Sequence, residues 1–444
     1  MKKRFCLVFL LLVMVVVVLG GVAQAEKVKL RWMFHDSGPQ VEKAVGMIYD
    51  QFIKENPDIE IAIEYVPWEV AMQTVMTMIK GNTLPDMGRV WPVDELGKMG
   101  ALVPLEDLLT PEDLKHYTPA MKEALSAEDP SGKTHLYAMS NYQGTYALLV
   151  NKTLLSEAGL TTDDLATYES FESALQKLKK DSSGDGLVDR WGWTWSGSGS
   201  QNPWTSMEMA IYAFGGRLIK NLHMNSNVPE PIIINSPETV KALTWMTNVY
   251  KNGLVPSSIP TDTYEQSMEQ FMTGQVVTLQ EGPWSLSSQK EAFTKKGWEL
   301  ISAQLPKGSA GSTSFISFGD FGLFNTAQQR GTIEPCLKWL KYFTGMEGER
   351  IWCQVLGRIP NRPELQKEPF WTEDEAFKGF IAASATADRE QPIWMTGLNR
   401  TIDEEAIPMF QGMLLGKVTP EDAAKQLQDI IVKGLTQFGV KLPE

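Results

Sequence analysis

At 444 residues the chain is long enough to bury a large core and to divide into two lobes. Its formal charge of −13 becomes −16 once Lys2, Lys3 and Arg4 leave with the N-terminal leader, and an acidic surface of that size excludes nucleic acid and anionic lipid as expected partners. The composition is otherwise that of an ordinary globular protein, with one bias, 14 Trp.

The leader comes first in chain order. "MKKRF" is basic, "FCLVFLLLVMVVVVL" is an apolar run of about 15 residues, and "AQA" precedes Glu26. This is the pattern of a secretory signal peptide over residues 1–25, cleaved after Ala25. A retained anchor is the competing reading, but the run is shorter than the roughly 20 residues a spanning helix needs. No Cys stands at the cleavage point to carry a lipid, so the expected product is secreted and periplasmic. Cys6 leaves with the leader, and Cys336 and Cys353 fall on successive helical segments, where two buried thiols and one disulfide are equally open.

The mature chain opens with "KVKLRWMF", an alternating strand, and an amphipathic helix from Gln40 to Asn56. "DIEIAIEYVP" alternates again, and "WEVAMQTVMTMIKGN" has helical spacing with Gly81 and Asn82 at its stop. "LPDMGRVW" reads as a third short strand. This βαβα order predicts a mostly parallel sheet with helices on its faces. Further on, "TYALLVNKTLLSEAGL" reads as strand then helix, "YESFESALQKLKK" as a helix, and "DSSGDGLVDRWGWTW" as a turn and a strand. Helices are predicted over 237–251 and 264–273, a buried strand over 276–279, and a turn at Gly282 and Pro283 that presents Trp284. "STSFISFGDFGLFN" alternates, 334–356 is helical with a break at Gly345, and the chain closes on a periodic helix with Thr419 as N-cap and Pro420 at its first position.

The search for catalytic signatures is mostly negative. There is no Gly-x-Ser-x-Gly elbow, His-Glu-x-x-His, P-loop or Gly-x-Gly-x-x-Gly after a strand. His35, His116, His135 and His223 have no metal-ligand spacing and read as surface or loop residues, and no cofactor is implied. Asp181, Ser183, Asp185, Gly186 and Asp189 imitate positions 1, 3, 5, 6 and 9 of a calcium loop, but Gly192 stands at position 12, where that loop needs a bidentate Glu. The loop is therefore a weak calcium candidate that a Gly-rich turn explains as well.

The aromatic residues are more informative. A sugar offers an apolar face of C–H groups and a rim of hydroxyls, so its receptor pairs flat rings with hydrogen-bonding side chains. Trp245, Trp339 and Trp352 lie in apolar helical stripes and belong to a core; Trp191, Trp193 and Trp195 share one strand face. Trp91, Trp204, Trp284 and Trp394 stand in predicted loops beside polar residues, where core plug and ligand face are both open.

In order along the chain, "LLVNKTLLSEAGL", "DSSGDGLVDRWGW", "AIYAFGGRLI", "FMTGQVVTLQEGPWS", "KWLKYFTGMEGERIWCQVLGRIPNRPEL" and "LLGKVTPEDAAKQLQ" resemble segments of the extracellular solute-binding proteins of bacterial ABC importers, in the group that includes the maltose-binding proteins. The resemblance implies an α/β, two-lobed periplasmic-binding-protein fold of type II, with a ligand cleft between lobes that the chain crosses more than once. The expected lobes are 26–138 plus 306–356, and 139–305 plus 357–444. It also implies hinge closure on ligand and recognition of the closed monomer by ABC permease subunits. Carried over residue by residue, Trp284 matches the family's sugar-stacking aromatic. Arg89 and Trp91 match the loop after Pro-Asp, and Asn202 and Trp204 fall near contacts before the double glycine. Trp394 resembles a late stacking residue. His35 and Asp36 follow the first strand, Gly319 and Asp320 border the cleft, and Arg358 lies by the final crossing. The expected function is delivery of a neutral sugar or oligosaccharide to a permease, without chemistry. Two alternatives stand beside it: a small anion, such as a phosphorylated polyol or organic acid, clamped by Arg89 and Arg358, and a secreted glycoside hydrolase built on paired carboxylates.

Overall fold

The alternation in "VKLRWMF" becomes strand β1 (Val28–Phe34), whose Leu30, Trp32, Met33 and Phe34 are all buried because helices cover both faces of its sheet. The computed structural model describes residues 27–35, 38–199, 202–218, 232–385, 387–389, 398–437 and 442. The leader, Asp36, His223 and Trp394 lie outside these. No helix among the described residues is long and apolar enough to cross a membrane.

After β1 the helix Pro39–Glu55 starts on a proline in its first turn and buries Val41, Ala44, Val45, Ile48 and Phe52, the spacing of one helical face. Strand β2 (Ile59–Tyr65) runs parallel to β1, and the helix Trp68–Gly81 ends at Asn82 in the left-handed conformation, φ 53°. Strand β3 (Met87–Arg89) pairs with the other side of β1. A hairpin of β4 (Ser126–Glu128) and β5 (Thr134–Leu136) precedes β6 (Ala138–Met139), and the chain then leaves this lobe through β7 (Gln143–Thr145).

The second lobe is built on β8 (Ala147–Asn151), β9 (Trp191–Thr194), β10 (Val276–Glu281) and β11 (Leu300–Ala303), in the order β11-β8-β10-β9. β10 lies between β8 and β9, antiparallel to the first and parallel to the second, and every one of its residues is buried. It runs two residues beyond the expected end, to Glu281.

The alternating segment near 315 is two strands, not one. β12 (Phe315–Phe318) pairs antiparallel with β7 and joins β14 (Asp388–Arg389) in a small crossing sheet; β13 (Phe321–Leu323) returns to the first sheet, whose order is β2-β1-β3-β13-β6. The second crossing therefore falls at 315–318 and not at 306. Residues 307–310 remain with the second lobe because Lys307 N–H donates to Ala166 O, Ala310 N–H to Ala213 O and Ser309 Oγ to Phe214 O. The helices Ile333–Phe343 and Met346–Leu356 complete the first lobe. Ile359 then bridges to Gln143 as the chain crosses a third time, and the helix Glu375–Ser384 docks on β11, with Gly379 N–H donating to Ser302 Oγ at 2.8 Å.

Aromatic packing dominates both cores. Trp32, Phe34, Trp339, Phe343 and Trp352 interlock under the first sheet, with Trp32 and Trp339 centroids 5.2 Å apart at 71°. Burying one indole removes roughly 200 Å² of apolar surface, about 5 kcal/mol before entropy, which is why a Trp at helical spacing goes to the core. Trp193 and Trp195 centre the second core, 4.6 Å apart. The first core continues past the crossing strands to Leu286, Phe293, Phe377 and Phe380. Cys336 and Cys353 are separate buried thiols, not a disulfide; burial pushes both up, Cys336 to about 12, and Cys353 Sγ donates to Asn141 O at 3.3 Å.

Candidate functional site

Ligands of open α/β sheets bind outside the carboxyl ends of the strands, and in this protein those ends meet at the crossing. From the first lobe, His35 follows β1 directly and Arg89 closes β3. From the second, Glu281 closes β10 and Ser196 follows β9. β7 and β12 run between them.

Arg89 lies opposite Phe321 in the ladder, which brings its guanidinium to the preceding Asp320; Nε donates to Oδ1 at 2.6 Å, with side chains 12% and 5% exposed. A charge-assisted bond that far from water is strong and fixes both groups. Tyr142 occupies the turn between β6 and β7. The Arg358 guanidinium sits 4.4 Å from its ring centroid and that of Arg89 6.0 Å. Gly319 packs on the same ring and donates its N–H to Tyr142 O at 3.0 Å. Tyr142 is thus the hub that gathers Arg89, Gly319, Asp320 and Arg358.

His35 corrects the surface reading of the histidines. It is fully buried, neither ring nitrogen has a hydrogen-bond partner, and burial first, then the Arg89 charge, holds it down to about 3. It is a neutral imidazole with unused hydrogen-bonding capacity.

Trp284 stands in a short turn, Pro283–Ser285, directly after β10, and is half-buried. Two glycines make room for it. A Cβ on Gly282 would lie 2.1 Å from the ring's Cη2, and one on Gly144 of β7 would lie 3.1 Å from Cζ3. The indole therefore folds back over its own turn and rests on a crossing strand, with the Tyr146 ring edge-on at 5.2 Å. Its N–H is directed to the Glu281 carboxyl, which also accepts from Gly282 N–H at 2.9 Å and Tyr264 O–H at 3.3 Å. Burial pushes Glu281 up to about 8 despite these donors.

Glu281, Tyr264, Tyr142 and Tyr146 escaped sequence reasoning. The available signal was the polar pair Gln280 and Glu281 ending a fully buried strand. Beside them is a small cavity, also lined by Ser196, Ser206 and Ser267.

Other expected residues go elsewhere. Trp204 is not in a loop: it lies in the first turn of the helix Asn202–Ala213, 1% exposed against Phe410. That helix is buried from Pro203 through the end, so its aromatic goes to the core. Asn202 opens the same helix. Trp91 is half-buried after β3 and joined to Pro92 by a cis bond. The calcium-like loop is closed by its own amides. Asp181 accepts from Gly184 and Gly186 N–H at 2.6 and 2.7 Å, and Asp189 from Ser182 and Ser183 N–H at 2.8 and 2.9 Å. These bonds hold both carboxyls below the usual range. Asp185 bonds Leu187 N–H, and no three metal-ligating side chains converge among the described residues.

Comparison with known proteins agrees with this architecture. A family model described as bacterial extracellular solute-binding protein matches residues 47–379. The maltotriose-binding protein of Pyrococcus abyssi (strain GE5 / Orsay) is 24% identical over 355 residues, 78% of this chain and 70% of that one. Among solved structures, the GacH receptor of Streptomyces glaucescens, described unliganded and with acarbose, superposes with a TM-score of 0.76 at 21% identity, covering 92% of this chain and 99% of that one. An ABC transporter solute-binding protein from Thermotoga lettingae bound with α-D-tagatose gives 0.75 at 20% identity, covering 91% and 99%.

Proposed function

The chain belongs to the bacterial extracellular solute-binding proteins, and from that membership we propose that it is the periplasmic receptor of an ABC importer for a neutral sugar or oligosaccharide. The ligand lies in the interlobe cleft, stacked on Trp284 and hydrogen-bonded by the polar groups around Tyr142 and Glu281. The signal peptide is removed after Ala25, and the closed monomer is handed to the permease. It performs no reaction.

One observation carries the reading: a half-buried indole lodged on two glycines between a lobe and a crossing strand, ringed by hydrogen-bonding groups. A core plug would not need its surroundings reduced to glycine on one side and polar on the other. The maltotriose, acarbose and α-D-tagatose bound by the related proteins support the ligand class. Against the anion reading, the Arg89 charge is already met by Asp320.

A thermal-shift panel of neutral saccharides, organic acids and phosphorylated polyols tests the proposal. At least one neutral saccharide raises the melting temperature, by RT ln(1 + [L]/Kd) of added stability. Shifts confined to anions would replace this reading with the second one.

A further inference from the structure

We propose that the cavity bounded by Gln280, Ser267, Glu281 and Tyr264 is a specificity pocket for the hydroxymethyl arm of the sugar ring stacked on Trp284, so that the receptor selects hexopyranosides over pentopyranosides. This rests on the sugar reading and narrows it.

Chemistry and size both point there. Gln280 Nε2 and Ser267 Oγ are buried, line the cavity and have no hydrogen-bond partner, while their residues are 9% and 2% exposed. A buried donor left unmet is destabilising, so each calls for a partner. One group that both accepts from an amide N–H and donates to a hydroxyl oxygen is itself a hydroxyl. Glu281 Oε1 already receives Gly282 N–H and Tyr264 O–H, leaving Gln280 and Ser267 as the wall with capacity to spare. Leu279 supplies an apolar contact for a methylene. The free space suits one or two water-sized groups and is too small for a sugar ring; a CH2OH arm fits. The position is right as well. Tyr146 and Glu281 belong both to the cavity wall and to the packing around Trp284, so the pocket opens beside the stacking face.

The test is calorimetric titration of the mature protein with cellotriose and xylotriose, which differ by the hydroxymethyl groups, and with maltotriose. Wild type binds a hexosyl trisaccharide at least about tenfold tighter than xylotriose, the factor expected when buried donors go unmet. Ser267→Val, which fills the cavity, removes that preference while xylotriose affinity stays within about twofold. Gln280→Leu gives the same readout should Ser267→Val fail to fold. If hexosyl affinity is unchanged in both variants, the cavity holds an ordered water only and the inference is overturned while the sugar reading stands. If wild type binds none of these saccharides, nor any in the wider panel, the sugar reading falls and the inference with it.

Discussion

Replacing Glu281 by glutamine removes a titration and little else. The amide keeps an acceptor for Gly282 N–H and Tyr264 O–H. The carboxyl in the folded protein sits near 8, against 4.5 for the free group, because burial outweighs its three donors. The unfolded chain therefore releases this proton first as pH rises. Stability associated with the group is fully present below about pH 4.5 and declines until about pH 8. At 1.36 kcal/mol per unit, the span from 4.5 to 7 makes the wild-type carboxyl cost roughly 3 kcal/mol at pH 7, an order-of-magnitude figure. Urea unfolding of wild type and Glu281→Gln, without ligand, measures the difference across pH 4 to 8. It should be near zero at the acid end and favour the variant increasingly toward neutrality. Glu349, buried with Arg362 and also pushed up to about 8, is common to both proteins and cancels. A difference that does not change with pH would refute the reasoning, since it would mean that the Glu281 carboxyl titrates in the folded protein as it does in the unfolded chain.

Other outcomes follow from the same geometry. Gly282→Ala puts a methyl 2.1 Å from the Trp284 ring, so the indole must rotate away; ligand affinity falls with little change in far-UV circular dichroism, and intrinsic fluorescence reports the displaced ring. Trp204→Ala destabilises by about 3–5 kcal/mol, the cost of emptying a core aromatic site, measured by urea unfolding, and its effect on affinity is no greater than that of another core truncation. Thiol titration of the mature protein with an aromatic disulfide gives no rapid reaction in the native state and two equivalents after denaturation, from Cys336 and Cys353.

Much of the fold was legible because periodicity and punctuation agreed. The strand at 28–34, the helix stop at Asn82, the break at Gly345 and the Thr419 cap are local signals, and Thr419 Oγ1 does accept Asp422 N–H at 3.1 Å. The crossing strands were not legible. β6 and β7 are two and three residues long, and what defines them is a partner far along the chain, such as Ile316 opposite Thr145. The same limit misplaced the second crossing, since only tertiary bonds tie Lys307 to Ala166. Trp204 was misread because a Ser-Gly-rich approach resembles a loop, while the following helix is buried all round and shows no amphipathic stripe. Within the site, Arg89 and Asp320 were named separately, but only the β3–β13 ladder makes them a pair. Trp284 could be singled out from its Gly-Pro turn; the second glycine beneath it, Gly144, lies on a strand no local pattern announces.

The central claim is that a neutral sugar stacks on Trp284 in the cleft. Calorimetric titration of wild type and Trp284→Ala with the best saccharide of the thermal-shift panel tests it most directly. The account predicts saturable binding to wild type and a loss of at least about tenfold, or roughly 1.4 kcal/mol, in a variant whose ligand-free unfolding remains cooperative. Equal affinity in the two proteins would contradict it.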